Sequence, residues 1–341
     1  MAPFKSSLAR SASKLFGVFN QQDLSLRGAT QNSKIISNVI QASGGTKSTP
    51  GNGYVYHVFT SPDEAPAPHN FQITGGSGDV NLLVVGGGGG GGGKYGGSAG
   101  GGGGGAGVVH DRLLPDLGPG TYPITVGAGG LGNTYPSTSP ANPGDDTVWN
   151  APGTGTPALT AAGGGGGGGG SGPTHLGQPG GSGGGNAYSD PEGNAAAVGS
   201  GDTYPGSGPT ISPANGWGSD GGTADTTNRH AGGGGGAGAS GQNAPPDTAA
   251  GGIGIQIPWV LPTHGETQYF GGGGGAGRYP GSAGPGGAGG TGGGGQGAGP
   301  GDTNGENGTA STGGGAGGMV SSGVTQFRGG SGVVIIRYSA N

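Results

Sequence analysis

The chain has 341 residues, of which 100 are glycine, 26 are proline and none is cysteine; 28% are hydrophobic, 9% are charged, and the net charge is −5. Ordinary glycine usage is about 7%, so a conventional side-chain core can fill only part of the molecule. The missing cysteines exclude a disulfide framework and zinc–thiolate sites, and no run of 18 apolar residues offers a membrane-spanning helix.

Charge is unevenly spread. Residues 1–50 carry Lys5, Arg10, Lys14, Arg27, Lys34 and Lys47 against Asp23 alone, so the remainder is acidic. A basic head on an acidic body points to two different neighbours. Within the head, Phe4, Leu8, Leu15, Phe16 and Phe19 fall near helical spacing, with Lys5, Arg10 and Lys14 elsewhere on the wheel. The pattern predicts a short amphipathic helix in a docking arm over 1–50. Phe4, Lys5, Leu8, Arg10, Lys14, Leu15, Phe16 and Phe19 are the residues that would grip another protein.

From residue 51 the pattern changes to strands. Residues 54–60 (YVYHVFT) alternate, Phe71 and Ile73 begin a second strand, GGSGD (75–79) is a turn, and Val80–Val85 is a third, mostly apolar strand. Further strands are expected at 107–114, 121–129, 146–149, 158–162 and 333–338. The expected fold is mainly β: an antiparallel sandwich whose last strand returns to pair with early ones. One domain over 51–341 follows, with β elements at about 52–162 and 330–339 and a glycine-rich bundle at about 163–320.

Glycine blocks lie between the strands, at 86–107, 163–185, 232–241, 271–277, 281–299 and 313–318. Glycine is a poor helix former, by about 1 kcal/mol per residue against alanine, and a glycine sheet has no side chains to pack. The remaining regular conformation is the polyproline-II type, with three residues per turn and about 3.1 Å rise. Such rods can pack at backbone contact distance. Gly232, Gly235, Gly238 and Gly241 keep a three-residue step, as do Gly281, Gly284, Gly287, Gly290 and Gly293; Ala237, Ala239, Ser282, Ala283 and Pro285 fall on the other faces. Collagen requires an unbroken period, and here it breaks at Gln296. A bundle of short polyglycine-II rods within one chain is expected.

TGGSGDVNLLVVGGGGGGGG (74–93), YPITVGAGGLG (122–132) and the terminal GGSGVVIIRY (329–338) together resemble the glycine-rich domain common in tailed-phage virion proteins. The similarity covers about 52–341. The start, MAPFKSSLARSASKLFGVF, is similar to the N-termini of phage appendage proteins. The resemblance implies a structural, non-enzymatic protein at the virion surface, a tail fibre or adhesin. Its arm would attach to other virion proteins, and its body would project toward a host cell-surface glycan or protein. It leaves open a capsid fibre or decoration protein with no receptor role. Unfilled rod edges favour self-assembly, so a homo-oligomer is expected, with the trimer common among appendages; no heptad pattern specifies it.

Chemical motifs are chance products of the glycine content. Ser182 in GGSGG matches a nucleophile elbow by letters only, since it lacks the strand–helix setting. Gly93-Lys94 lacks the Ser/Thr of a phosphate loop. His57, His69, His110, His175, His230 and His264 show no metal spacing. No catalytic residue, cofactor, metal, nucleic-acid partner or membrane insertion is expected. The aromatic residues of the loops, Trp217, Trp259, Tyr269 and Phe270, are the candidate receptor contacts; their alternative role is to cap the bundle and shield its edges. A soluble ice-binding rod bundle is the reading from a different class, but the long aromatic loops and the arm speak against it.

Overall fold

The computed structural model describes residues 39–62, 64–93, 102–134, 139–151, 158–169, 176–187, 216–225, 229–245, 248–279, 281, 284–300, 305–320 and 326–340. The predicted N-terminal helix, with Phe4, Lys5, Leu8, Arg10, Lys14, Leu15, Phe16 and Phe19, lies outside the described residues.

Among the described residues there are twelve strands: β1 (Gln41–Ser43), β2 (Thr46–Ser48), β3 (Tyr54–Thr60), β4 (Ala67–Gly75), β5 (Gly78–Val85), β6 (Val109–Leu117), β7 (Gly120–Val126), β8 (Thr147–Trp149), β9 (Leu159–Ala161), β10 (Ile255–Gln256), β11 (Tyr269–Phe270) and β12 (Val333–Ser339). They form two antiparallel five-stranded sheets, ordered β1-β4-β7-β8-β9 and β2-β3-β12-β5-β6, and a small β10-β11 pair. The last long strand, β12, pairs with both β3 and β5, Ile335 opposite Val58 on one side and Leu83 on the other.

Sequence pattern explains which sheet is covered on both faces. In β7, Tyr122, Ile124 and Val126 are buried while Thr121, Pro123 and Thr125 are exposed, so this sheet buries one face. In β5 and β12 the runs LLVV and VVII are buried at every position, so the second sheet is covered on both sides. Between the sheets lies a core that includes Phe59, Phe71, Leu82, Trp149 and Ile336. Tyr122 and Trp149 stack in it at 5.3 Å and 8°.

β1 and β2 lie ahead of residue 51 and occupy the outer edge of each sheet, and the compact unit that holds the strands runs from Asn38. Three-residue polar strands such as QAS and TKS carry no alternation to read.

Six strands continue directly into segments of the bundle, most of them glycine-rich: β5 into 86–93, 102–108 into β6, β7 into 127–133, 139–146 into β8, β9 into 162–169, and 326–332 into β12. There the bonding changes. Gly86, Gly89 and Gly92 donate to Val108, Gly105 and Gly102 (3.0, 2.8 and 2.9 Å); Gly87 and Gly90 donate to Asp145 and Asn142; Gly88 and Gly91 donate to Gly330 and Phe327. The same run accepts from Gly130 and Asn133, from Gly164 and Gly167, and from Ala316 and Met319. Every third residue therefore addresses the same neighbour, and the run is enclosed on all sides. Runs 102–108, 231–238, 271–278 and 313–320 are enclosed in the same manner.

Such close approach leaves no room for a side chain. A Cβ on Gly88, Gly89, Gly104, Gly234 or Gly274 would stand within 3.0 Å of a neighbouring backbone carbonyl oxygen. Where alanine does occur inside, the methyls group together, as with Ala231, Ala249 and Ala276.

Within the unit that begins at Asn38, the strands have one end at the bundle and one remote from it. β5 enters at Gly78 and leaves toward the bundle at Val85. Val39, beside Gly76, and Ala340, whose amide donates to Gly53, both lie at the end remote from the bundle.

Candidate functional surface on the outer face of the second sheet

Side chains on the outer face of β2-β3-β12-β5-β6 change character along the strands. Nearest the bundle, Val58, Leu83, Val85, Val109, Val333 and Ile335 are apolar. Leaving them in water would forfeit about 25 cal/mol per Å² of apolar area. The 255–270 segment covers them, with Ile255, Ile257, Val260 and Phe270 packed on the sheet beside Trp217. Farther along, the face turns polar: Tyr56, Arg337 and Asn81 form one cross-strand row, which ends on the exposed Leu113.

Trp259 sits where cover and polar row meet. The Arg337 guanidinium carbon lies 4.3 Å from the Tyr54 ring centroid and 5.0 Å from that of Trp259. Arg337 donates twice to Asn81 Oδ1 (2.7 and 3.2 Å) and once to the Trp259 carbonyl (3.4 Å), which also accepts from the Tyr56 hydroxyl (3.3 Å). The Trp259 indole N–H donates to Asp111 Oδ1 at 3.0 Å. Burial pushes the Asp111 carboxyl up to about 6, against the indole hydrogen bond and the nearby Arg337 and Arg112, which pull it down. A second anchor holds the other end of the cover. Gly292 and Gly293, both in the left-handed region, donate to Glu266 Oε2 at 2.6 and 2.8 Å, cradling the carboxylate in a backbone nest.

Two histidines flank the sandwich core. His57 Nδ1 donates to the Gly44 carbonyl (2.6 Å), and Nε2 is hydrogen-bonded with the Tyr338 hydroxyl (3.1 Å). Burial holds its pKa below the usual histidine value. His110 Nε2 donates to the Thr160 carbonyl (3.1 Å), and burial with the adjacent Arg112 lowers its pKa to about 4.

The structure brings three of the four aromatic candidates together. Trp217 (2% exposed) and Phe270 (0%) are buried in the cover's core, so their rings are not on the surface that a receptor would meet. Trp259 is half-buried at its margin, and Tyr269 is half-buried in the β10-β11 pair, opposite Gln256. Flanking glycines gave Trp217 and Phe270 no periodicity from which burial could be read. Tyr54, Asn81, Asp111 and Arg337 escaped the sequence reading. The available signal was Arg337, a charge inside the apolar run VVIIRY that must find partners to be tolerated there.

Chemically, the row is a stacked aromatic–cation surface with guanidinium N–H groups and the 38%-exposed Tyr54 ring at its open side. Ser182 is fully buried within the glycine lattice, its amide donating to Ala106. Among the described residues, no three His, Cys, Asp or Glu side chains gather as a metal site.

The fold defines a β-sandwich whose strands run on into a backbone-bonded array of glycine segments. A family model described as a glycine-rich domain matches residues 64–339, and the chain belongs to that family. No curated protein matches it.

Proposed function

We propose that this chain is a structural display protein, a phage virion appendage of the tail-fibre or adhesin kind. In this reading the glycine runs are polyproline-II-type rods, the N-terminal amphipathic arm grips other virion proteins, and the body projects from the particle as a homo-oligomer. The observation that carries it is the hydrogen-bond register of the runs. Their amides are committed to neighbouring backbone carbonyls every third residue, as three residues per turn requires. The enclosed runs hold almost nothing but glycine and alanine, which supply stiffness and length but no group for chemistry. Host recognition falls to side chains on the flank. The half-buried Trp259 with Tyr54 and Arg337, and Tyr269 nearby, have the aromatic and guanidinium character that binds glycan or protein surfaces.

The test mixes full-length protein, and protein lacking residues 1–37, with tailed-phage particles stripped of their appendages. Full-length protein is expected to co-sediment with the particles and the truncated protein to stay in solution. Equal attachment of the two, with both folded, would remove the docking role; no attachment of either would remove the appendage reading.

A further inference from the structure

Among the described residues, most faces of the glycine runs are bonded to another run, but the outer face of runs 249–254 and 285–291 is not. These two runs are neighbours: Gly251 donates to Ala288 (2.9 Å) and Gly254 to Thr291 (2.7 Å). Their inward residues are glycines whose Cβ would collide with backbone, as at Gly252, Gly287 and Gly290. Their outward residues carry side chains at the same three-residue step: Ala250 and Ile253 on one run, Pro285, Ala288 and Thr291 on the other. Ile253 is 51% exposed, and Pro285, Ala288 and Thr291 are also exposed.

On this face the amides of Ile253, Ala288 and Thr291 have no hydrogen-bond partner among the described residues, whereas Gly287 and Gly290 on the same run donate inward to Ala276 and Gly273. An unpaired row of backbone donors invites another chain, as the edge of a β-sheet does. The invitation is blocked in three ways. Pro285 has no N–H. Gln242 Oε1 already takes the Ala250 amide at 2.9 Å. The Cβ groups of Ile253, Ala288 and Thr291 occupy the place where a further run would have to lie.

We propose that this face is an edge of the glycine lattice onto which the same face of a second copy of the chain would pack if its side chains were absent. Ile253, Pro285, Ala288 and Thr291 hold it closed against such lateral growth. The inference goes beyond the display function: any oligomer forms through another surface, and the lattice does not spread from copy to copy. An isologous pair would close on itself through this face once the side chains are gone.

The test replaces all four (Ile253→Gly, Pro285→Gly, Ala288→Gly, Thr291→Gly) and compares sedimentation velocity with wild type across a concentration series. The variant is expected to double in mass relative to wild type as concentration rises, with slowed amide exchange at positions 253, 288 and 291. Returning one bulky group with Ala288→Arg in that background is expected to restore the wild-type size. An unchanged size for a natively folded variant overturns the proposal. So does association that Ala288→Arg leaves intact, because it would then come from unfolding. The milder pair Ala288→Gly/Thr291→Gly is read by the same criteria should the fourfold variant not fold. A wild-type oligomer that dissociates on Ile253→Arg would also overturn it, because the face would already be an interface.

Discussion

Gly104 shows why so many positions admit one residue type. Its amide donates to Ala316 while Gly274 donates to its carbonyl, and an added Cβ would stand within 3.0 Å of the Gly89 carbonyl oxygen. Backbone on a neighbouring run cannot swing aside as a side chain can. Gly104→Ala is therefore expected to cost at least the ~1–3 kcal/mol of an overpacked core, read as a lower urea midpoint. Gly118→Ala is the contrast, since its Cβ would meet nothing closer than 3.9 Å. There the change is expected to be neutral or mildly stabilising, by up to about 1 kcal/mol, through the unfolded chain.

Buried ionisable groups give a second expectation at this scale. His110 is lowered from 6.5 to about 4, so the unfolded chain binds the proton more tightly. Its contribution to stability is complete above 6.5 and is lost as pH falls toward about 4. Asp111 is raised from 3.8 to about 6, so the folded chain binds the proton more tightly. Its contribution is complete below 3.8 and is lost as pH rises toward about 6. Each slope is about 1.4 kcal/mol per pH unit within its window, and the two oppose each other where the windows overlap. Asp111→Asn keeps an acceptor for the Trp259 indole and is expected to leave the melting temperature falling steeply below pH 6.5. His110→Gln is expected to reverse the tilt, with melting temperature falling as pH rises from about 4 to 6. Parallel melting profiles for wild type and both variants would refute the assignment.

At the scale of elements, the strands were legible and their continuations were partly so. Alternation in YVYHVFT and TYPITV, and the apolar runs LLVV and VVII, placed β3, β5, β7 and β12 to within a few residues. β1 and β2 were missed because three polar residues show no period. The three-residue step of the glycine blocks was visible in the letters, and it recurs in the bonds: Gly232 and Gly235 both address the 183–186 segment. The step yields a rule for altering length. One glycine inserted between Gly88 and Gly89 hands every later amide of the run to the wrong neighbour. Three inserted glycines return each amide to its own neighbouring run, one step further along it, about 9 Å at the 3.1 Å per residue of the proposed polyproline-II rods. The single insertion is expected to lower the melting temperature well below that of the triple insertion; equal losses would argue against the rotating register.

For the whole molecule, the candidate surface was only half legible. Trp259 was singled out as an aromatic residue of a loop, but its partners come from far away in the chain. Arg337 is 78 residues from Trp259, and Asp111 is 148 residues away. Trp217 and Phe270 looked equivalent to Trp259 in the sequence, yet the fold buries them under the cover. Nothing in WGSD or QYFGG distinguishes a ring that packs on a sheet from one that faces water.

The amino-acid sequence by itself determined where strands form, because side-chain alternation is local, and that the glycine runs must pack backbone to backbone, because they have nothing else to pack. Tertiary structure alone decided which runs are enclosed and which lie outside, which aromatics are buried, and where Arg337 finds its two rings. The reason is physical: all glycine amides are chemically alike, so a run's neighbours are set by its place in the lattice, and that place depends on strands and turns distant from it in the chain.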